Sequence, residues 1–277
     1  MSRQPDGPPP GYRPPGARGR HDLAWGPDGP RPGWGRILDA VADIGPDEMA
    51  RRQRAADRQM LAQGAGVLLH EGADDVLRPW RLDVVPLVFD AATWGPIAAG
   101  LAQRAEVLAA VVADLHGERT LLRAGVVPVE AVASHATALR TAYAPTSPPR
   151  LVVAGADLVI DGDGRPRVLR DLTDVPTGEG QALLARSIVG RALHRNRRLL
   201  GVAGHRPYTD ALRTALMAAA PPGRRSPRTV VLTGPPDEPG HVEHAYLATR
   251  LGYDVAESAD VVVRRGRVWL RSLEGLE

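Results

Sequence analysis

The sequence predicts an α+β protein behind a disordered N-terminal tail. Three observations lead there. Apolar residues recur at three-to-four spacing over several long stretches, the period of an amphipathic helix. Short β-branched runs elsewhere are bounded by Gly, Pro and Asp turn signals. Residues 1–35 are instead rich in Pro and Gly with little apolar content, and such a segment cannot bury enough surface to offset its ordering entropy.

Each element follows from its own signals. Residues 46–63 read as a helix, with Pro46 at the first position and Gly64 as the stop. Residues 82–89 (LDVVPLVF) read as a strand that Pro86 confines to a sheet edge. The clearest helix runs from a capping Asp90 to a stop at Gly117, with Ile97, Leu101, Leu108, Val112 and Leu115 at helical spacing. A Pro/Ser/Thr stretch at 141–150 is a linker and boundary candidate. LVVAGADLVI and RPRVLRDL flank the turn DGDG at 161–164, which predicts a hairpin over 151–171. Helices are expected at about 182–199 and 209–220. The segment 229–271 then alternates: the strand TVVLT, the loop GPPDEPG, the helix VEHAYLATRLG, and a hairpin turning at Arg265-Gly266. No internal repeat or heptad pattern is seen.

Composition excludes several chemistries. The chain has 277 residues, 43% of them apolar, and no cysteine. Disulfides, thiolate metal sites and thiol nucleophiles are therefore out. All 35 basic side chains are Arg, which removes Schiff-base lysine chemistry and the P-loop lysine. The pI near 9.8 invites a nucleic-acid reading, but the net charge is only +3. Arg3, Arg13, Arg18 and Arg20 against Asp6 account for all of it, leaving the remainder of the chain neutral. No apolar run approaches the roughly 20 residues of a membrane span, and residues 1–35 carry no signal-peptide core. A cytoplasmic protein is expected.

Few motifs carry chemistry. DGDG fails as an EF-hand loop, because its fifth position is Arg165 and its twelfth Leu172. Asp157 and Asp171 sit symmetrically about residue 164, so a regular hairpin sets them nearly opposite one another. Like charges there call for a shared divalent cation or for Arg partners, and Arg165, Arg167 and Arg170 are close by. DVPTGEG at 174–180 is a Gly-rich turn into a helix, which can cradle an anion or be an ordinary loop. His241, Glu243 and His244 form H-x-E-H, one residue short of the zinc-helix spacing. Arg186, Arg191, Arg195, Arg197 and Arg198 cannot share one helix face and read as a solvated surface. There is no G-x-S-x-G elbow.

Six blocks taken in order resemble a known family. They are RRQRAADRQMLAQG (51–64), PWRLDVVPLVFDAATW (79–94), GLAQRAEVLAAVVADLHG (100–117), LLRAGVVP (121–128), GADLVIDGDGRPRVLRDLTDVPTGEGQALLAR (155–186) and VEHAYLATRLGYDVAESADVVVRRGRVWLRSLEGL (242–276). Together they resemble the circularly permuted ATP-grasp type 2 family, the glutathionylspermidine-synthase-like proteins. The resemblance implies an ATP-grasp fold, with ATP and Mg²⁺ held between two α/β subdomains. It also implies ATP-dependent carboxylate–amine ligation through an acyl phosphate. In the permuted order, the segment with metal-binding carboxylates comes early.

Matched residue by residue, the family block places Asp157 and Asp171 as metal ligands, and Thr173, Gly178, Gly180 and Arg186 at the cofactor. Glu243 in the later block joins them, and His244, Tyr246, Gly252, Glu257 and Asp260 also match. Departures cluster in the same place. Leu172, Asp174, Thr177 and Gln181 replace Arg, Gln, Ser and Tyr of the family pattern, and Leu184-Ala185 replaces Glu-Asn. The family pattern also continues beyond GLE at 275–277. The expectation is a partial, circularly permuted ATP-grasp-like fold, degenerate and inactive alone, serving as a pseudoenzyme or completed by a second chain. A self-sufficient ATP-grasp ligase is the alternative, and a basic-tailed nucleic-acid binder the remote one.

Overall fold

The structure, a computed structural model, describes residues 21–71, 74–134, 151–174, 176–193, 201–220, 223, 226–236, 238, 240–273 and 275–276. The four tail arginines, the 141–150 linker and the Arg195–Arg198 end of the expected helix lie outside the described residues. In chain order the elements are β1 (Trp25–Gly26), β2 (Gly29–Pro30), α1 (Gly35–Ile44), α2 (Pro46–Ala62), β3 (Gly66–Glu71), β4 (Asp74–Pro79), α3 (Ala91–His116), α4 (Thr120–Arg123) and α5 (Val129–Ala133). Then come β5 (Gly155–Ile160), β6 (Pro166–Leu172), α6 (Glu179–Ala192), α7 (Arg206–Ala218), β7 (Val230–Thr233), α8 (His241–Leu251) and β8 (Asp254–Glu257). A 3₁₀ turn at Ser258–Asp260 leads to β9 (Val261–Arg264), β10 (Arg267–Ser272) and β11 (Gly275–Leu276). The fold is α+β, with the strands in small separate sheets. Among the described residues, all pairings are antiparallel except β7 with β8.

The packed region starts ahead of residue 36. Residues 21–35, which composition groups with the tail, carry the β1–β2 pair and bury Trp34 against Ile37 and Leu38. Asp22 accepts the backbone N–H groups of Ala24 and Trp25, which closes this turn.

The main core is built by α2 and α6. Pro46 opens α2, and Asp47 and Glu48 occupy its first turn, where the helix dipole favours acids. Ala56 and Met60 of α2 pack on Leu184 and Ile188 of α6, with Val84 beside them and Val242 and Tyr246 of α8 at the edge. Arg52 also donates to the carbonyl of Ala192 at the end of α6.

Residues 82–89 are not a strand. The Gln53 side chain donates to Leu82 O and accepts Val84 N–H, at 2.5 and 3.1 Å. It thereby satisfies the backbone that a neighbouring strand would have paired, and Pro86 offers no donor. The hairpin lies just before, at β3–β4, in register from Gly66↔Pro79 to Glu71↔Asp74.

Asp90 caps α3 as expected, accepting Thr93 N–H at 2.8 Å. The helix has the length the sequence predicts, but it is more apolar than that reading allowed. Its 26 residues, with a mean hydropathy of 1.3 in the most apolar window, suffice by length and composition to cross a membrane. Only Ile97 of α3 is buried. Arg104 stands mid-helix, where insertion into a bilayer costs about 2.5–3.5 kcal/mol. It instead grips Asp171 of β6 with two bonds, at 2.9 and 2.6 Å, and so fastens the β5–β6 hairpin to α3.

The C-terminal region is a βαβ unit, β7–α8–β8, with parallel strands. Gly252 ends α8 at φ 75°, and Arg213 of α7 donates to the carbonyls of Arg250 and Leu251. The β9–β10 hairpin turns at Arg265 and Gly266, both at positive φ, as the sequence predicts. The start of α6 crosses α8 at Gly180, where a Cβ would overlap the backbone carbonyl of Glu243.

Two predictions follow from this packing. Gly180→Ala is expected to force α6 and α8 apart at a cost of about 1–3 kcal/mol in urea denaturation. Gly100→Ala, where a Cβ meets nothing within 4 Å, is expected to gain up to about 1 kcal/mol. Equal effects at the two sites would refute a tight crossing. For the hairpin, the Arg104 hydrogen bonds hold the Asp171 carboxyl below its ordinary range. A depressed carboxyl contributes stability above its unfolded value, about 3.9, and loses it as pH falls through the lower folded value. The melting temperatures of wild type and Asp171→Asn should therefore differ at neutral pH and converge as acidity passes below the carboxylate range.

Candidate functional site

The β5–β6 hairpin forms where the sequence places it, but its register differs. Asp157 pairs with Arg170 and Ala156 with Asp171, and a bulge shifts the register between Asp157 and Leu158. Leu158 then pairs with Val168, so Leu169 is the extra residue, and the two carboxylates are not opposite one another. Directly paired residues share a face and successive ones alternate, so Asp157 and Asp171 lie on opposite faces. Asp157 is bound by Arg170 at 2.5 Å, and Asp171 by Arg104. Of the two arrangements the residue types allow, the geometry forms the guanidinium pairs. The turn itself is closed by Asp161, which accepts the backbone N–H groups of Asp163 and Arg165, with Gly164 at φ 82°. A shared Mg²⁺ does not fit two carboxylates on opposite faces. Among the described residues, no three of His, Asp and Glu converge to hold a metal ion.

The turn ahead of α6 brings three of the expected cofactor residues together. Gly178 sits at φ 106°, a conformation that favours glycine, and its N–H donates to the Glu243 carboxylate at 2.5 Å. Glu243 is buried, with 6% of its surface exposed. Gly180 is the contact point between α6 and α8. Thr173 is exposed. Arg186 lies about two turns further along α6, donates to the Ala203 carbonyl, and lines another cavity of 670 Å³ with Leu82, Val85, Val189, His205 and Arg250. Leu184 is buried in the main core, and Ala185 faces that second cavity.

Electrostatics at the turn run against an anion. Burial pushes the Glu179 carboxyl above its ordinary range, as does the nearby Glu243, while a hydrogen bond from Tyr208 opposes the shift. Tyr208 is pushed up in turn by burial and by Glu179. The N–H of Gly178, which a phosphate would use, is taken by a buried carboxylate with a second carboxyl beside it. These residues do not fit a phosphate cradle.

A cavity of 530 Å³ opens at the carboxyl ends of β7 and β8, lined in part by Thr233, Gly234, Glu238, His244, Glu257 and Ser258. Sequence reasoning passed over it. The signal was present as a strand, TVVLT, running through a Gly/Pro loop into a helix, since ligands of α/β units bind beyond the strand ends. The two histidines of H-x-E-H bond different groups here: His241 Nδ1 contacts Gly234 O at 2.9 Å, and His244 Nδ1 contacts Thr233 Oγ1 at 3.0 Å.

The chain is 37% identical over 257 residues to an uncharacterized protein of Mycobacterium tuberculosis, spanning 89% of this chain and 29% of that protein. An uncharacterized protein of Synechocystis is 27% identical over 259 residues, spanning 92% of this chain and 54% of its own length. A Frankia casuarinae protein with the provisional name glutamate–cysteine ligase 2-2 is 31% identical over 236 residues, which make up 84% of this chain and 27% of that one. The chain thus spans between about a quarter and a half of the length of these relatives. Residues 86–277, which hold the hairpin, the turn and both cavity-lining helices, match the family described as circularly permuted ATP-grasp type 2. The chain belongs to that family.

Proposed function

We propose that this chain is a degenerate member of a family of ATP-dependent carboxylate–amine (peptide-forming) ligases. It does not catalyse on its own and acts in the cytoplasm as an accessory pseudoenzyme or as one half of a ligase completed by a second chain. The carrying observation is Leu184, which is buried in the main core where the family pattern has Glu. Other features support the same reading. Asp157 and Asp171 are committed to separate arginines. The apolar surface of α3, with Trp94 and Val107 about half exposed, supports a partner seated on that helix. ATP, when bound in such a ligase, activates the carboxylate as an acyl phosphate. Nothing in this arrangement supplies the charge stabilisation that phosphoryl transfer needs, and one lost donor of that kind typically costs about a hundredfold in rate.

Calorimetric titration with Mg-ATP is expected to show no binding tighter than about millimolar, near 4 kcal/mol. Phosphate release with mixed amino acids and polyamines should stay at background. Tight binding, or turnover abolished by Asp171→Asn, would restore the self-sufficient ligase. Reintroducing the family residue by Leu184→Glu is expected to cost about 3 kcal/mol or more in urea denaturation, because it places a carboxylate in the main core. A stable, soluble Leu184→Glu protein that gains Mg-ATP binding would show that position 184 can still face a ligand.

A further inference from the structure

The 670 Å³ cavity beside the second half of α6 combines apolar walls with a cationic rim. Leu82, Val85 and Leu87 form one wall, and Val189 and Leu193 of α6 the other. The first wall is held in shape. The Gln53 side chain bonds the backbone of Leu82 and Val84, Asp83 accepts Val85 N–H at 2.8 Å, and Pro86 fixes its own φ. Arg186 and Arg191 of α6 and Arg250 of α8 stand around the opening. Each of the three bonds neutral groups: the Ala203 carbonyl for Arg186, Ser187 Oγ and Gln59 Oε1 for Arg191, and His205 Nε2 for Arg250. Among the described residues no carboxylate pairs with any of them, whereas arginines elsewhere hold Asp157, Asp161, Asp171 and Asp254. Asp83, the one acid among the described lining residues, serves its own segment. The apolar surface also continues outward. Leu87 is 59% and Val202 52% exposed, and Phe89 just beyond packs on Trp94 of α3 with ring centroids 6.1 Å apart.

The geometry points to a docking groove for an acidic, apolar segment of a partner protein. Apolar side chains of that segment enter between the two walls, and carboxylates flanking them reach the guanidiniums at the rim. Charge complementarity sets the sign, because three guanidiniums face one carboxylate that is already bonded. Spacing sets the class of ligand. Arg186 and Arg191 lie on one helix, about 7.5 Å apart along its axis and about 140° around it. Arg250 comes from a different helix. One compact anion does not reach all three, whereas a peptide with spaced acids does. The wall at Leu87 leads through Phe89 to Trp94, so a partner seated here continues onto the exposed face of α3. That this partner is a chain completing a ligase rests on the reading above, whereas the docking itself does not.

The test uses the full chain with neither ATP nor Mg²⁺, so its failure leaves the ligase reading where it stands. The probe is a fluorescein-labelled peptide, EELLDELLEE, followed by anisotropy and by amide chemical shifts of the chain. One control, KKLLNKLLKK, reverses the charge; the other, EESSDESSEE, keeps the acids and removes the apolar side chains. The acidic leucine peptide is expected to shift Leu87, Val189 and Val202 and to bind about tenfold more tightly than either control. Arg250→Gln should weaken it about tenfold. Leu87→Ser should do the same, and because Leu87 is exposed it serves if the first variant does not fold. Equal binding of either control, unchanged affinity in both variants, or shifts confined to other residues would overturn the proposal. So would competition by Mg-ATP at the same residues, which makes the groove a nucleotide site. The same shifts on concentrating the chain alone would seat a second copy there and overturn it too.

Discussion

The carboxylate of Glu243 accepts the N–H of Gly178 across the crossing of α6 and α8, and the arrangement around it depends on that contact. A carboxylate this buried is costly unless hydrogen-bonded, and here the first residues of α6 supply the bond. In return the carboxylate fixes the angle at which the chain enters α6 and satisfies a donor at a helix start. Gly180 lets the two backbones approach closely enough for the bond to form. Once α6 is placed this way, Leu184 and Ile188 face Met60 and Ala56, and the main core follows. The same crossing orients α8 and with it the parallel β7–β8 pair.

This constraint also explains the character of the α6 turn. A helix N-terminus preceded by glycines attracts anions, and here an internal anion answers that attraction. Burial, and then the field of Glu243, hold the Glu179 carboxyl above its ordinary range. A second carboxylate would not be tolerated there by a site built to take phosphate. The turn thus joins α6 to α8 through residues that also match the family's cofactor turn.

Local signals were legible in the sequence, and long-range pairings were not. Asp90, Pro46 and Arg265-Gly266 act through their own or adjacent backbone, and each marks the cap, start or turn that it forms. The 82–89 segment looked like a strand because its apolar run is strand-like. What decides it is the side chain of Gln53, 29 residues upstream of Leu82, which no periodicity reveals. The same holds at the hairpin. The symmetry of Asp157 and Asp171 about their turn was visible, but one bulged residue, Leu169, moves them to opposite faces. Arg104, which binds Asp171, is 67 residues away in sequence. The family pattern grouped Arg186 with Gly178, yet the helix carries it to a different cavity.

A chain whose only cations are arginines distributes its acids in a telling way. The guanidinium fork makes paired hydrogen bonds that ammonium groups do not, so an acid beside an arginine is committed to it. Asp157, Asp161, Asp171 and Asp254 are all committed in this manner. Glu243 is committed too, to a backbone donor. Glu257 is likewise committed to a backbone donor, the N–H of Asp260 in the cap of the 3₁₀ turn, while Glu238 is exposed beside the end of β7. Acids at the hairpin, at the α6 turn and along β8 are thus satisfied from within the fold.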